Sequence, residues 1–339
     1  MSIKRNWVEL FSTVPEIQPH SLWFKELSIK HPGLSPSAFK NGWDKYKQEY
    51  RSGNPQPQKP SGPRPQENFS FQNKADFEPI FNVNKNFLSL EEGEYEIRTP
   101  YLIKGERNIL VISDIHIPYH VRPVLMLALE TCRDVDTIIL NGDIVDFYAC
   151  SFWDKRPDKT LLKREIEMGW NFFDGLRKMF PSAEIIFKSG NHEFRFERYI
   201  CQKAPAFFGM DSFAIPEILK LKDYGISYVS DKQMIKAGDL TIIHGHEIRM
   251  TLGAVNVART LYLKANANIM FGDRHVSQEY FQRDIHGKVR GAWAVGCLCD
   301  LSPDYAPVNN WNHGFARVQL NSDNSFSVDN KKIILGKVL

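Results

Sequence analysis

Five short apolar runs in this chain each lead at once into Asp, Asn or His. Ile109 to Ile112 precedes Ser113-Asp114-Ile115-His116, and Thr137 to Leu140 precedes Asn141-Gly142-Asp143-Ile144-Val145-Asp146. Glu184 to Phe187 leads to Gly190-Asn191-His192-Glu193, Leu240 to Ile243 to His244-Gly245-His246, and Asn268 to Phe271 to Gly272-Asp273-Arg274-His275. Carboxylate, imidazole and amide donors gathered together are the set that divalent cations take. Singly, each cluster has a plainer explanation, since Gly-Asp is a common turn and an Asn-His pair often caps a helix. Five in order, each at the end of a strand-like run, point to one shared metal site.

The elements that must position these clusters are short β-rich runs alternating with amphipathic helical segments, the pattern of an α/β layered domain over residues 69–339. In open α/β sheets the carboxyl ends of strands meet along one edge, which would bring the five clusters together. Residues 52–68 collapse to Gly, Pro, Gln, Ser and charge and read as a disordered linker. Before them, residues 1–51 read as a small helical module, with Ser35 as a cap and Phe39, Trp43, Tyr46 and Tyr50 at helical spacing. Its last helix carries Lys40, Asn41, Lys45 and Lys47, so a helix-turn-helix on DNA is one reading and a protein-docking element the plainer one.

A hydrophobic content of 42% supplies a substantial core, and a net charge of +3 is too small to announce a nucleic-acid binder by itself. Residues 1–51 hold eight Lys/Arg against five acids. No run approaches the ~20 apolar residues that span a bilayer and the N-terminus lacks a signal-peptide pattern, so a soluble, cytoplasmic protein without a membrane partner is expected. Oligomeric state is not legible. The five cysteines include no Cys-x-x-Cys pair and fit reduced thiols. Cys297-Leu298-Cys299 alternates as on a strand, which favours two buried structural thiols over a metal pair.

In order and spacing the clusters resemble the five motifs of the calcineurin-like metallophosphoesterase superfamily, over roughly Asn108 to Leu320. That resemblance implies a two-sheet mixed β-sandwich flanked by helices. It implies that Asp114, His116 and His275 hold one divalent ion and Asn191 and His244 a second, with Asp143 bridging the two and a shared hydroxide attacking phosphorus. His192 matches the family's catalytic histidine, the proton donor to the leaving alkoxide. Glu193 is expected to hold its ring in register, and Asp146 to orient a ligand. The last motif departs from the family's Gly-His-x-His. Either Asp273 fills the vacant ligand position, adding an oxygen donor that favours Mn²⁺ or Mg²⁺ over Zn²⁺ or Fe²⁺, or the second site is weakened; the first reading is preferred. His246, two residues from His244, is expected to face the substrate. The segments Gly296 to Asp300 and Asn310 to Gly314 resemble uncharacterised phage and prophage members, implying a phage-encoded protein in a bacterial host.

The cage does not choose between phosphomonoesters and phosphodiesters. The second motif continues Asp146-Phe147-Tyr148 where Ser/Thr phosphatases continue Asp-Arg-Gly, which argues against that branch. Arg195 and Arg198 are candidates to receive phosphate oxygens, and Phe152 and Trp153 to stack bases beside Lys155 and Arg156. The expected activity is a phosphodiesterase or nuclease acting on nucleic acid. A phosphomonoesterase and a degenerate metal-binding adaptor are the rivals.

Overall fold

The computed structural model describes residues 98–152, 161–250 and 255–339. The expected helical module at 1–51, the linker at 52–68 and Trp153 lie outside the described residues. The described strands are, in chain order, β1 (Tyr101–Ile103), β2 (Arg107–Ile112), β3 (Thr137–Asn141), β4 (Glu184–Lys188), β5 (Ile226–Val229), β6 (Ile235–Ala237) and β7 (Leu240–Ile242), then β8 (Ile269–Phe271), β9 (Gln278–Arg283), β10 (Val289–Ala294), β11 (His313–Leu320), β12 (Phe326–Ile334) and β13 (Lys337–Val338). They are joined by helices α1 (Arg122–Thr131), α2 (Leu162–Met179), α3 (Asn191–Lys203), α4 (Ile215–Ile218) and α5 (Val257–Ala265). One sheet has the order β13-β12-β11-β2-β3-β4-β5 and the other β1-β6-β7-β8-β10-β9. Strands β2 to β5 are mutually parallel, whereas β11 and β12 extend the first sheet antiparallel. No helix among the described residues is long and apolar enough to cross a membrane.

Strands β2, β3 and β4 are continuous apolar runs because both of their faces are buried. Leu110, Ile112, Ile138, Leu140, Ile185 and Phe187 pack with Leu125 and Leu129 of α1, Phe173 and Leu176 of α2, and Phe196 of α3. Their alternate neighbours Ile109, Val111, Ile139 and Ile186 meet Ile235, Leu240, Ile242 and Met270 of the second sheet. The far face of that sheet, including Phe271, Ala292 and Ala294, is covered by Ala258, Leu261 and Tyr262 of α5. Two mixed sheets thus lie face to face between outer helices, as the family resemblance implied.

The expectation that all five clusters share one sheet edge is corrected. Strands β2, β3 and β4 belong to one sheet, and β7 and β8 to the other. Helices cover only one face of β2 to β4, so the opposite apolar face recruits a second sheet, and the clusters meet across the sandwich.

Two buried ionisable side chains bind the site loops to this frame. Lys188, at the end of β4 with no side-chain exposure, lies 3.0 Å from Glu247 and also donates to the carbonyls of Ser230 and Asp231. Glu247 in turn accepts the backbone N–H groups of His244 and Gly245. On α2, Glu165 is fully buried and accepts from the N–H groups of Tyr148 and Ala149, which fixes the chain just beyond Asp146.

Replacing Lys188 by Met leaves Glu247 without its partner, and the variant should lose about 3 kcal/mol of unfolding free energy in urea titration. A loss under about 1 kcal/mol would show that the pair is dispensable. Burial, reinforced by the charge of Asp146, pushes Glu165 up to about 7 from 4.5 despite its backbone hydrogen bonds. Between those pH values the unfolded chain ionises this carboxyl while the folded chain keeps its proton, so its contribution to stability falls as pH rises. Glu165→Gln should therefore gain on the wild type by up to about 3 kcal/mol from pH 4.5 to 7, whereas a difference independent of pH contradicts the assignment.

Candidate metal centre

The loops leaving β2, β3, β4, β7 and β8 are locked to one another by backbone bonds. Asp114 and His116 donate from their N–H groups to the carbonyls of Gly142 and Asp143, at 3.1 and 2.9 Å, and Gly272 donates to His244 at 2.6 Å. Close approach requires bare backbone at two points. A methyl group on Gly190 would overlap the Asp143 carboxylate and backbone nitrogen, and one on Gly142, which has φ 84°, would overlap the His244 ring. Asp114, His116, Asp143, Asp273 and His275 all adopt φ between 51° and 60°, a left-handed conformation that non-glycine residues enter at a cost of order 1 kcal/mol each.

The ends of these side chains converge in two overlapping groups. His275 Nε2 lies 3.2 Å from both Asp114 Oδ1 and His116 Nε2, and His116 Nε2 lies 3.9 Å from Asp114 Oδ1 and from Asp143 Oδ2. Around the other oxygen-rich corner, His244 Nε2 is 3.2 Å from Asp143 Oδ2, 3.2 Å from Asn191 Oδ1 and 3.8 Å from Asp273 Oδ1. Donor atoms around one ion at bond lengths of ~2.1 Å stand about 3–3.5 Å apart, so both groups have the spacing of a coordination shell. Asp143 Oδ2 belongs to both. Two imidazole nitrogens facing each other at 3.2 Å, as in His116 and His275, are well satisfied by a cation between them. The residues present therefore fit a pair of divalent ions.

Partners on the outward nitrogens fix how each ring is turned. His244 Nδ1–H donates to the Asn141 carbonyl at 2.7 Å, and the Nδ1–H groups of His116 and His192 both donate to Asp146 Oδ2, at 3.0 and 3.1 Å. His192 stands at the edge of the cage, its Nε2 3.7 Å from Asp143 Oδ2. Its Nε2 accepts from Arg195 Nη2 at 2.8 Å, while Arg195 Nη1 reaches the Asp146 carbonyl and Oδ1 at 3.2 Å. The expectation for Glu193 is corrected: its carboxylate accepts from the backbone N–H groups of Asp143, Ile144, Val145 and Gly190, and Asp146 holds the His192 ring instead. Neighbouring helical residues point about 100° apart, so the two side chains diverge. His246 sits beside His244, ring centroids 5.4 Å apart, with Nδ1 3.5 Å from Glu247. Asp146 was expected to orient one ligand and orients two rings. Lys188, Glu247 and Asn141 were not singled out as parts of the site; the Trp311 ring stands edge-on to His275, centroids 4.0 Å apart.

Charge in the cage is balanced by proximity. Burial pushes Asp114 and Asp143 up, yet His275 beside the former, and His192 and His244 beside the latter, hold both carboxyls below their ordinary range. Burial likewise disfavours charge on His244 and His275, but Asp143 and Asp114 outweigh it, and His275 rises to about 9. The carboxylates thus favour a proton on both rings, as Asp143 and Asp146 do on His192 against the effect of burial. His116 is pushed down, first by burial and then by His192, and keeps a bare Nε2.

Comparison with known proteins bears on this geometry. No curated protein sequence matches the chain. Similar solved structures include a single mutant of Vps29 from Entamoeba histolytica, at 17% identity over 68% of this chain and 96% of that one, TM-score 0.36. Others are the purple acid phosphatase PPD1 from yellow lupin, Lupinus luteus, at 12% identity over 72% and 54%, TM-score 0.37, and a dimetal phosphatase from Danio rerio, at 11% over 68% and 97%, TM-score 0.32. A family model described as calcineurin-like phosphoesterase matches residues 107–287, which spans all five cage-bearing loops and more than half of the 339 residues. The chain belongs to the calcineurin-like phosphoesterases and is a metal-dependent hydrolase of ester bonds.

Proposed function

We propose that the chain is a phosphodiesterase acting on nucleic acid, with Asp114, His116 and His275 holding one divalent ion, Asn191, His244 and Asp273 the other, and Asp143 serving both. The observation that carries the substrate reading is a strip of cations and aromatics leading out of the cage along α3. Arg195 touches His192 and Asp146, and one turn further the Arg198 guanidinium lies 5.9 Å over the ring of Phe152, which is 73% exposed. Guanidinium groups receive phosphate oxygens and exposed rings receive bases, so a strand of nucleic acid finds both in the order it needs. The basic residues of segment 1–51 would add nonspecific attraction to the same polymer.

When bound, the two ions supply Lewis-acid polarisation of the phosphoryl group and an activated water. Everything else falls to side chains. Asp146 holds one proton of His192 on Nδ1, and although burial disfavours charge on the ring, Asp143 and Asp146 outweigh it, so Nε2, once clear of Arg195, takes a second proton from solvent and passes it to the leaving oxygen. In the resting chain Arg195 occupies Nε2; a phosphate oxygen that draws the guanidinium away vacates it. His246, beside His244, faces the substrate. Asp273 makes the second donor set oxygen-rich, which favours Mn²⁺ or Mg²⁺.

The reading is tested with bis(p-nitrophenyl) phosphate, p-nitrophenyl phosphate, single-stranded DNA and duplex DNA, each with Mn²⁺, Mg²⁺, Zn²⁺ or Fe²⁺. Diester and single-strand cleavage with added Mn²⁺ is the expected result, and faster turnover of the monoester without nuclease activity overturns it. His192→Ala should lower kcat by about 10²–10⁴ with metal content unchanged. Asp273→Ala should bind one Mn²⁺ per chain where the wild type binds two, as counted by elemental analysis after gel filtration. Two ions retained in that variant would remove Asp273 from the cage.

A further inference from the structure

The buried pair Cys297 and Cys299 has no part in the chemistry above, yet it lies against it. His275 Nε2 points at Asp114 and His116, and the two nitrogens of an imidazole face in nearly opposite directions, so Nδ1 points out of the cage. What it meets there is the sulfur of Cys299, at 3.9 Å, with both residues buried. The other cage imidazoles turn their outward nitrogens to oxygen, the Asn141 carbonyl for His244 and the Asp146 carboxylate for His116. Only His275 is given sulfur.

The segment carrying that sulfur is held on several sides. Leu298 donates from its N–H to the Asp114 carbonyl at 3.1 Å, the His313 ring donates from Nε2 to the Cys299 carbonyl at 2.9 Å, and Cys297 donates from its N–H to the Asn312 carbonyl at 3.1 Å. Asn312 in turn donates to the His275 carbonyl at 2.9 Å, and Trp311 closes the exposed side of the ring at 4.0 Å. One short segment therefore touches the backbone of a cage aspartate through its own backbone and a cage imidazole through its side chain.

We propose that Cys299 is a positioning residue of the first metal site, accepting the Nδ1–H of His275 and so fixing Nε2 as the nitrogen offered to the ion. A metal-bound imidazole ordinarily gives its second N–H to a carboxylate or carbonyl, and losing that partner weakens metal binding about 10–100-fold. Sulfur is a weak acceptor, so the lower end of that range applies here. It also leaves His275 a less basic donor than a carboxylate partner would, which makes the first site the looser-held of the two at this ligand.

One ligand atom each of His116, His275 and Cys299 lie within 4.8 Å of one another, which raises the alternative that the sulfur binds the ion directly. The Nδ1 contact argues against it, and the experiment separates the two. Full-length protein is stripped with chelator and titrated with Mn²⁺ by calorimetry as wild type, Cys299→Ser and Cys299→Ala, with the melting temperature of each metal-free protein recorded. The expected result is one Mn²⁺ site weakened about tenfold in Cys299→Ala and restored to within a few fold in Cys299→Ser, whose hydroxyl can still accept. Equal weakening in both variants, or none in Cys299→Ala, overturns the proposal. Cobalt-loaded wild type should show no strong near-ultraviolet sulfur-to-cobalt absorption, and its presence would make Cys299 a ligand. Should Cys299→Ala fail to fold, nitrogen NMR of the Zn²⁺-loaded wild type decides: His275 must carry its proton on Nδ1, and a proton on Nε2 overturns the inference.

Discussion

Two carboxylates that water does not reach, Asp114 and Asp143, set the terms for everything around them. A buried charge is tolerated only when it is paired and fully hydrogen-bonded. Asp273 N–H donates to Asp114 and His192 N–H to Asp143, so two loops supply backbone dipoles before any side chain is counted. The imidazoles of His275 and His244 then stand 3.2 Å away. Getting them so close is what forces left-handed backbone at five cage residues and bare backbone at Gly142 and Gly190. The strain is a consequence of the charge pattern. It is sustained by the two-sheet core beneath, which is dry on both faces of β2 to β4.

Where strands stop, consecutive N–H groups lose their ladder partners and need acceptors. Three buried or half-buried glutamates answer that need in the same way. Glu193 collects four such groups from the loops after β3 and β4, Glu247 two from the loop after β7, and Glu165 two from the chain beyond Asp146. Each carboxylate thereby converts a loose segment into a fixed platform for a cage residue. Because Lys188 neutralises Glu247 from the far side, the position of His244 rests on an ion pair at the end of β4, in the other sheet. Cage geometry and inter-sheet packing are thus not separable properties of this chain.

The strands and clusters were legible in sequence because apolar runs of four ending in Asp, Asn or His are dense local signals. Partition into two sheets was not, since a continuous apolar run conceals which alternate residue faces helix and which faces sheet. Glu193 misled by adjacency: sequence neighbours on a helix do not face each other, and the true partner of His192 is Asp146, 46 residues away. Lys188, at the edge of an apolar run, carries no sequence sign of its neutralising role, which exists only once Glu247 folds over it. Reading Cys297-Leu298-Cys299 as buried thiols on an extended segment agrees with their burial, but sequence alone does not reveal that one of them reaches His275.

The outward partners of the three cage imidazoles run counter to the inward ones. His275 belongs to the donor group that matches the family motif in full, yet its outer contact is a thiol at 3.9 Å. His244 belongs to the group with Asp273 in place of histidine, and its outer contact is a carbonyl at 2.7 Å, the shortest of the three. A carboxylate among the inward donors adds negative charge and draws the cation in, while a firm outer hydrogen bond raises the basicity of the imidazole. The outer bond favours the second group, and with Asp143 and Asp273 that group holds as many carboxylates as the first has in Asp114 and Asp143, so the departure from the motif at Asp273 need not leave that site the weaker. His116 lies between these cases, because Asp146 serves it and His192 with the same oxygen. Any change that moves Asp146 therefore turns both rings together.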